Sequence, residues 1–111
     1  MKLITAVLPT AGFEQVHRAL RTLGIPGVTV STVFARDEGM PRYEVYRGVR
    51  RMVELQAAVR MDIITTDIDA VDVVQVIVAC GGGRAGGTVW VQPVEHLVRI
   101  RTGERGEGAL F

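Results

Sequence analysis

The chain has 111 residues, which fits one compact domain over residues 1–111, and a hydrophobic fraction of 48% supports a packed core. A formal net charge of +1 argues against a phosphate-backbone binder, which needs a strongly basic face, and 5% aromatic residues argue against stacking platforms for single-stranded nucleic acid. One cysteine allows no internal disulfide and fits a reducing cytoplasm. No apolar run reaches membrane length, so we expect no membrane insertion. The charge and aromatic content predict no nucleic-acid binding, and the cysteine content predicts a cytoplasmic protein.

The first third of the chain predicts a strand, a helix and a second strand. Residues 1–8 read as a buried strand that Pro9 ends, and residues 12–23 carry apolar side chains at helical spacing. Gly24 then stands where a helix C-terminal cap is expected. Residues 28–35 are rich in β-branched side chains and alternate, which predicts the second strand.

Residues 36–57 follow without a clean period and mix charged residues with glycine and proline. Because no period is present, we expect one long loop here. A loop of this length in a compact domain is usually functional or mobile.

The second half repeats the pattern. Residues 59–65 predict a third strand, and Thr66 with Asp69 predicts a capping box at the start of a second helix. Its core stripe is predicted at Ile68, Val71, Val74, Ile77 and Val78. A glycine-rich connector, residues 81–87, leads to residues 88–101, which predict a fourth strand and a short final strand.

This order predicts an α+β, ferredoxin-like βαββαβ fold, with an antiparallel sheet and both helices on one face. The opposite sheet face needs a cover, and the second helix is apolar beyond one stripe, at Val73 and Val76. Surplus apolar surface in a small domain indicates packing between subunits.

The end of the chain places cations on alternate residues. In a strand, Leu97, Arg99 and Arg101 share one face, where two guanidiniums repel each other. Carboxylates of a neighbouring chain or a bound anion such as phosphate would stabilise them, and the residues alone leave both open.

Five segments, MKLITAV, LGIPGVTVS, EVYRG, WVQPVE and RIRTGERGE, closely resemble the PII signal-transduction family over nearly the whole chain. The resemblance implies a homotrimer that binds adenine nucleotides in clefts between subunits. It implies that residues 36–57 form the T-loop, which contacts a transporter, enzyme or regulator. It also places the connector 81–87 and the tail 97–111 around the nucleotide.

The resemblance carries over residue by residue. Its adenine and ribose pocket falls on Val7, Thr29, Asp62 and Ile64, and its phosphate surroundings fall on Gly86, Gly87, Thr88, Arg99 and Arg101. Arginines beside glycine amides make a phosphate site without a Walker motif, which favours the anion over the interface. The candidate partner-binding residues of the T-loop are Arg42, Tyr43, Tyr46, Arg47, Arg50 and Arg51.

Some positions depart from the family pattern. Gly39 and Ala58 replace the glutamine and the lysine that 2-oxoglutarate sensing uses, and the lysine was expected just before the third strand. Thr88 replaces a phosphate-contacting lysine, which weakens the preference for ATP over ADP or AMP. Arg51 and Val49 replace the tyrosine and the serine that relatives have modified.

The sequence therefore predicts a non-enzymatic PII-like sensor of ADP, AMP or ATP, coupled to bicarbonate and not to 2-oxoglutarate, as in relatives tied to inorganic carbon. Two alternatives stay open: a slow nucleotide phosphohydrolase on the same scaffold, and a trimeric interaction module with a vestigial pocket. No positioned general base or metal-ligand spacing accompanies His17 or His96, so we expect neither a catalytic site nor a metal site.

Overall fold

A computed structural model describes residues 1–36, 42–53, 55–81 and 86–110, and for residues 42–44 and 51–53 it describes the backbone. The elements in chain order are β1 (Lys2–Pro9), α1 (Thr10–Leu23), β2 (Thr29–Ala35), β3 (Arg42–Tyr46), β4 (Val49–Val53), β5 (Gln56–Thr65), α2 (Asp67–Cys80), β6 (Thr88–Pro93) and a C-terminal 3-10 helix (Gly106–Leu110). Four strands form an antiparallel sheet in the order β2-β5-β1-β6. This strand order confirms the predicted ferredoxin-like α+β fold.

The core lies between the two helices and one face of the sheet. Its buried side chains come from β1 (Ile4, Ala6, Leu8), β5 (Met61, Ile63), α1 (Val16, Leu20) and α2 (Ala70, Val73, Ile77). The helical spacing read for α1 is confirmed at Val16 and Leu20, although the helix begins two residues earlier, at Thr10. Gly24 caps it in the left-handed region at φ 88°, which favours glycine.

The predicted core stripe of α2 is wrong at most of its positions. Ile68, Val71 and Val78 are 84%, 60% and 68% exposed, while Ile77 is buried as predicted and Val74 packs, partly buried, against the core. Ala70 and Val73 are buried as well, so Val73 belongs to the core and the prediction that it is surplus apolar surface is wrong. The helix is apolar around most of its circumference, so several stripes fit a 3.6-residue period equally well. Its predicted start is confirmed, because the Thr66 hydroxyl accepts a hydrogen bond from the Asp69 amide at 3.2 Å.

The long loop predicted over residues 36–57 contains strands that the sequence pattern did not predict. Strands β3 and β4 form a separate two-stranded hairpin, and β5 already begins at Gln56. Arg47 (φ 52°) and Gly48 (φ 78°) form its two-residue turn, and positive φ at both positions matches the twist of the flanking strands. Gly39 lies outside the described residues.

The predicted short final strand is also wrong, and with it the shared strand face of Arg99 and Arg101. Residues 97–105 instead fold back on themselves through one isolated bridge between Val98 and Arg105. The Gly103 amide donates to the Arg99 carbonyl at 2.7 Å inside this loop. A turn forms here instead of a strand because Gly103 takes a φ of 74°, a value that a pleated strand does not contain.

Candidate functional site

The sheet face turned away from the helices gathers five of the predicted nucleotide residues. Directly opposed residues of an antiparallel pair point to the same face. Asp62 of β5 lies opposite Thr29 and Thr5, and Val7 lies opposite Thr88. Ile64 follows Asp62 at the next position on the same face of β5. We call this surface, defined by Val7, Thr29, Asp62, Ile64 and Thr88, the open sheet face.

A fixed carboxylate lies at the centre of the open sheet face. The buried Thr5 hydroxyl donates to Asp62 Oδ1 at 2.8 Å. Arg60 Nε donates to Asp62 Oδ2 at 3.2 Å, and the Arg60 guanidinium lies 5.9 Å from the centre of the Trp90 ring. Thr5, Arg60 and Trp90 were not predicted for the site. The signal was present, since Arg60 and Asp62 alternate on a strand in the same way as the tail arginines were expected to.

The end of the glycine connector packs against β1 beside Val7. Gly86 and Gly87 have φ values of 80° and 131°, in the region that favours glycine. A Cβ atom on Gly87 would lie 3.0 Å from the Val7 carbonyl oxygen. The absence of a side chain at Gly87 therefore lets the connector approach β1 at the edge of the open sheet face.

Two cavities adjoin this point. One, of about 240 Å³, lies between the start of α1 and the start of β5 and is lined by Thr10, Ala58 and Gly87 among others. The other, of about 230 Å³, lies between α2 and β6 and shares Gly87 and Leu8 with the first. Ala58 is the third residue of β5, so the expectation that this position precedes the strand is wrong. Its small side chain leaves the first cavity without a cation at that position.

The tail holds its arginines in different ways. Arg99 Nη2 donates to the Ala109 carbonyl oxygen at 2.6 Å, and Ala109 is buried. A guanidinium hydrogen bond of this length ties the 3-10 helix to the loop 97–105. Arg101 lies in the exposed turn of that loop. The single chain thus places Arg99 and Arg101 together in the tail, in a turn rather than on a strand.

The β3–β4 hairpin exposes its tip. Val45, Tyr46 and Val49 are all exposed, and the Arg47 guanidinium lies 5.4 Å from the centre of the Tyr46 ring. Arg50 lies opposite Val45 in the hairpin. The predicted side chains of Arg42, Tyr43 and Arg51 lie outside what the structure describes. The tip therefore presents apolar and cationic groups together.

An ion pair joins the N-terminus to the start of α2. The Met1 ammonium donates to Asp67 Oδ1 at 2.9 Å, and this hydrogen bond and charge lower the pKa of the Asp67 carboxyl.

Over residues 1–36, 42–53, 55–81 and 86–110, no three histidine, cysteine or acidic side chains come together as a metal site. Within the same ranges, neither helix has the length and apolar character needed to cross a membrane.

Comparisons with known proteins agree with this architecture. The family model described as "Nitrogen regulatory protein P-II" matches residues 1–104. The chain is 36% identical to nitrogen regulatory protein P-II of Pasteurella multocida (strain Pm70), over 99% of this chain and all of that protein. It is 34% identical to nitrogen regulatory protein GlnK of Escherichia coli (strain K12), again over 99% of this chain and all of that protein. Identity to nitrogen regulatory protein P-II 1 of Methanothermobacter thermautotrophicus is 38%, over 99% of this chain and 97% of that protein.

Proposed function

This chain belongs to the nitrogen regulatory protein P-II family, and from that membership we propose that it is a cytoplasmic, non-enzymatic regulator that binds ADP, AMP or ATP. In this proposal three subunits assemble, each nucleotide binds between neighbouring subunits, and the T-loop (residues 36–57) contacts the regulated protein.

The main support for the proposal is the set of residues that the strand register brings together on the open sheet face. The open sheet face collects Val7, Thr29, Asp62 and Thr88, residues that are far apart in sequence, and Gly87 brings the connector to the same edge. Strand residues offer a flat, partly apolar surface to a base, and glycine amides offer donors to phosphate oxygens. These are the two chemistries that one nucleotide needs.

The tail supplies the cations in the proposed site. Arg99 and Arg101 lie in one short loop, and guanidiniums there would supply positive charge and hydrogen-bond donors to phosphate oxygens. Exposed apolar surface supports the proposed assembly. Ile68, Val71 and Val78 of α2 are exposed, and none of the described residues of one subunit forms an element that covers the open sheet face. Packing between subunits would bury this surface and bring a tail to a neighbour's sheet.

The proposed signal is the nucleotide together with bicarbonate. Ala58 lines the cavity at the start of β5 without a cation, which removes the partner that the carboxylates of 2-oxoglutarate would need. Thr88 at the open sheet face offers a hydroxyl where an ammonium would favour a third phosphate. We therefore expect binding without strong selection for ATP.

The exposed hairpin tip supports the partner-binding part of the proposal. Val45, Tyr46 and Val49 have no cover in the described structure, while Arg47 and Arg50 add positive charge nearby. A hairpin that exposes apolar and cationic groups fits an acidic groove on a partner protein.

Isothermal titration calorimetry on the assembled protein tests the proposal. Wild-type protein should bind ADP, Arg101→Ala should lose at least about tenfold in affinity because a charged hydrogen bond disappears, and Arg105→Ala should bind as wild type. The control removes a cation from the same tail. Chromatographic analysis of ADP and ATP after long incubation should find no products; product formation would instead support the phosphohydrolase, and absence of binding would support the interaction module.

A further inference from the structure

The C-terminal 3-10 helix (Gly106–Leu110), which we call the tail helix, is held by a side chain of the loop that precedes it. The last carbonyl groups of a helix lack partners within that helix, and a cationic side chain is a favourable donor to them. Arg99 Nη2 donates to the Ala109 carbonyl oxygen at 2.6 Å, and Ala109 itself is 8% exposed. The tail helix therefore docks with one of its end carbonyls on the Arg99 guanidinium.

The loop that carries Arg99 fixes the position of this contact. The Arg99 amide donates to the Glu104 carbonyl at 2.9 Å, and the Arg99 carbonyl accepts from the Gly103 amide at 2.7 Å. The Gly106 amide donates to the Leu97 carbonyl at 2.9 Å, which brings the start of the tail helix back to the start of the loop. Because the backbone of Arg99 is held at both its amide and its carbonyl, the guanidinium stays within reach of the tail helix.

Docking of the tail helix closes one side of the Arg99 guanidinium. Nε and Nη2 lie on the same side of this planar group, where their N–H bonds form a fork that can grip two oxygens of one phosphate. In Arg99 the Nε atom is buried and Nη2 is engaged by the Ala109 carbonyl. A phosphate gripped by this side of the guanidinium would need the place that the Ala109 carbonyl oxygen occupies.

We propose that the tail helix is an intramolecular competitor of the nucleotide phosphates for Arg99, so that a docked tail helix lowers nucleotide affinity and a bound phosphate releases the tail helix. This inference rests on the proposed nucleotide site and adds a regulatory contact to it. Arg99 donates to an oxygen in both states, so the exchange leaves no guanidinium hydrogen bond unmade. Linkage makes the effect reciprocal, because the factor by which the docked tail helix weakens ADP binding is the factor by which ADP weakens docking.

Calorimetry with ADP on the assembled protein tests the competition in one direction. Ala109→Gln introduces a side chain too large for the buried position of Ala109 and should undock the tail helix, so ADP should bind about tenfold more tightly than to wild type. Gly108→Gln is the matched control, because Gly108 is exposed and a Cβ atom there meets nothing within 4 Å. This control should bind ADP as wild type does.

A double-mutant cycle shows whether the gain passes through Arg99. In an Arg99→Gln background, Ala109→Gln should change ADP affinity by less than about twofold, because the contested guanidinium is gone. An equal gain in both backgrounds would overturn the competition. Ala109 does not belong to the core between the helices and the sheet, so these variants are expected to keep the fold, which thermal unfolding checks.

Hydrogen exchange on the wild-type protein tests the competition in the other direction. Saturating ADP should speed the exchange of the amides of residues 107–110 by about tenfold and leave the amides of α1 unchanged. Slower exchange of the tail helix with ADP would show that nucleotide and docked tail helix coexist, and would overturn the inference.

The calorimetric outcomes separate this inference from the proposed function. Equal or weaker binding of ADP by Ala109→Gln, compared with wild type, would overturn the competition and leave the proposed function standing. Binding of ADP by Ala109→Gln alone would support both. If neither protein binds ADP, the proposed function and this inference fail together.

Discussion

Gly12 lies in α1 where that helix passes the end of α2, and Gly12→Ala sets two opposing effects against each other. A Cβ atom at this position would overlap the Gly81 carbonyl oxygen and would lie 2.8 Å from the Gly81 carbonyl carbon. Both obstructing atoms belong to the backbone, so no side chain can rotate away. Alanine, on the other hand, improves helix propensity by about 1 kcal/mol over glycine.

We expect the steric overlap with Gly81 to outweigh the gain in helix propensity. Inserting one carbon into a packed interior costs about 1–3 kcal/mol, and the upper end applies when only backbone can move. After the gain in propensity is subtracted, we expect the free energy of unfolding to fall by about 2 kcal/mol. The displaced Gly81 carbonyl begins the connector that leads to Gly87, so nucleotide affinity should fall as well.

Urea unfolding at one fixed protein concentration measures this change, since assembly makes stability depend on concentration. Gly27→Ala is the matched control, because nothing lies within 4 Å of a Cβ atom there and the unfolded chain loses similar freedom. We expect Gly27→Ala to be neutral or slightly stabilising. If Gly12→Ala were as stable as Gly27→Ala, the close contact between α1 and Gly81 would be refuted.

Two further predictions concern charge. The folded-state pKa of Asp67 lies below its ordinary value of 3.8, because the Met1 ammonium donates to it, so its stabilising contribution is present above about pH 4 and is lost as pH falls through the lowered pKa. Asp67→Asn should therefore lose stability less steeply below pH 4 in acid-unfolding curves, and an unchanged slope would contradict this ion pair. Thr88→Lys adds an ammonium to the open sheet face and should raise the affinity for ATP relative to AMP by about tenfold in calorimetry, whereas an unchanged ratio would place the phosphates elsewhere.

Sequence patterns predicted the fold where one physical signal dominated. In α1, polar and apolar residues segregate clearly, so Val16 and Leu20 were identifiable as core. In α2, apolar residues occur on all sides, and only the tertiary contacts decide that Val73 is buried and Ile68 exposed. The cap at Thr66 was predictable because it depends on local hydrogen bonding alone.

Turns and the hairpin were harder to predict for a different reason. An Arg-Gly turn lacks the Asn-Gly or Asp-Gly signal, so the turn at Arg47 and Gly48 went unrecognised. The tail alternates apolar residues and arginines as a strand does. The backbone hydrogen bonds that the Gly103 and Gly106 amides donate nevertheless close it into a loop. In both cases the glycine conformation, which the pattern of hydrophobic residues does not encode, decides the structure.

The sequence named several residues of the open sheet face but not the side-chain contacts at its centre. The family resemblance alone named Val7, Thr29 and Asp62, and the strand register shows them on one face of the sheet. The contact of Arg60 with Asp62 lies within β5, but the contact of Arg60 with Trp90 crosses from β5 to β6, which are separated by β1. Such contacts depend on strand order, which no local pattern contains.

The central proposal, an adenine-nucleotide site coupled to bicarbonate, is tested most directly by one calorimetric series on the wild-type protein. ADP, AMP and ATP are titrated alone, with bicarbonate, and with Mg²⁺ and 2-oxoglutarate. We expect dissociation constants on the order of micromolar, about −8 kcal/mol, with bicarbonate and not 2-oxoglutarate changing the affinity. Absence of nucleotide binding, or strong enhancement of ATP binding by Mg²⁺ and 2-oxoglutarate, would contradict the account.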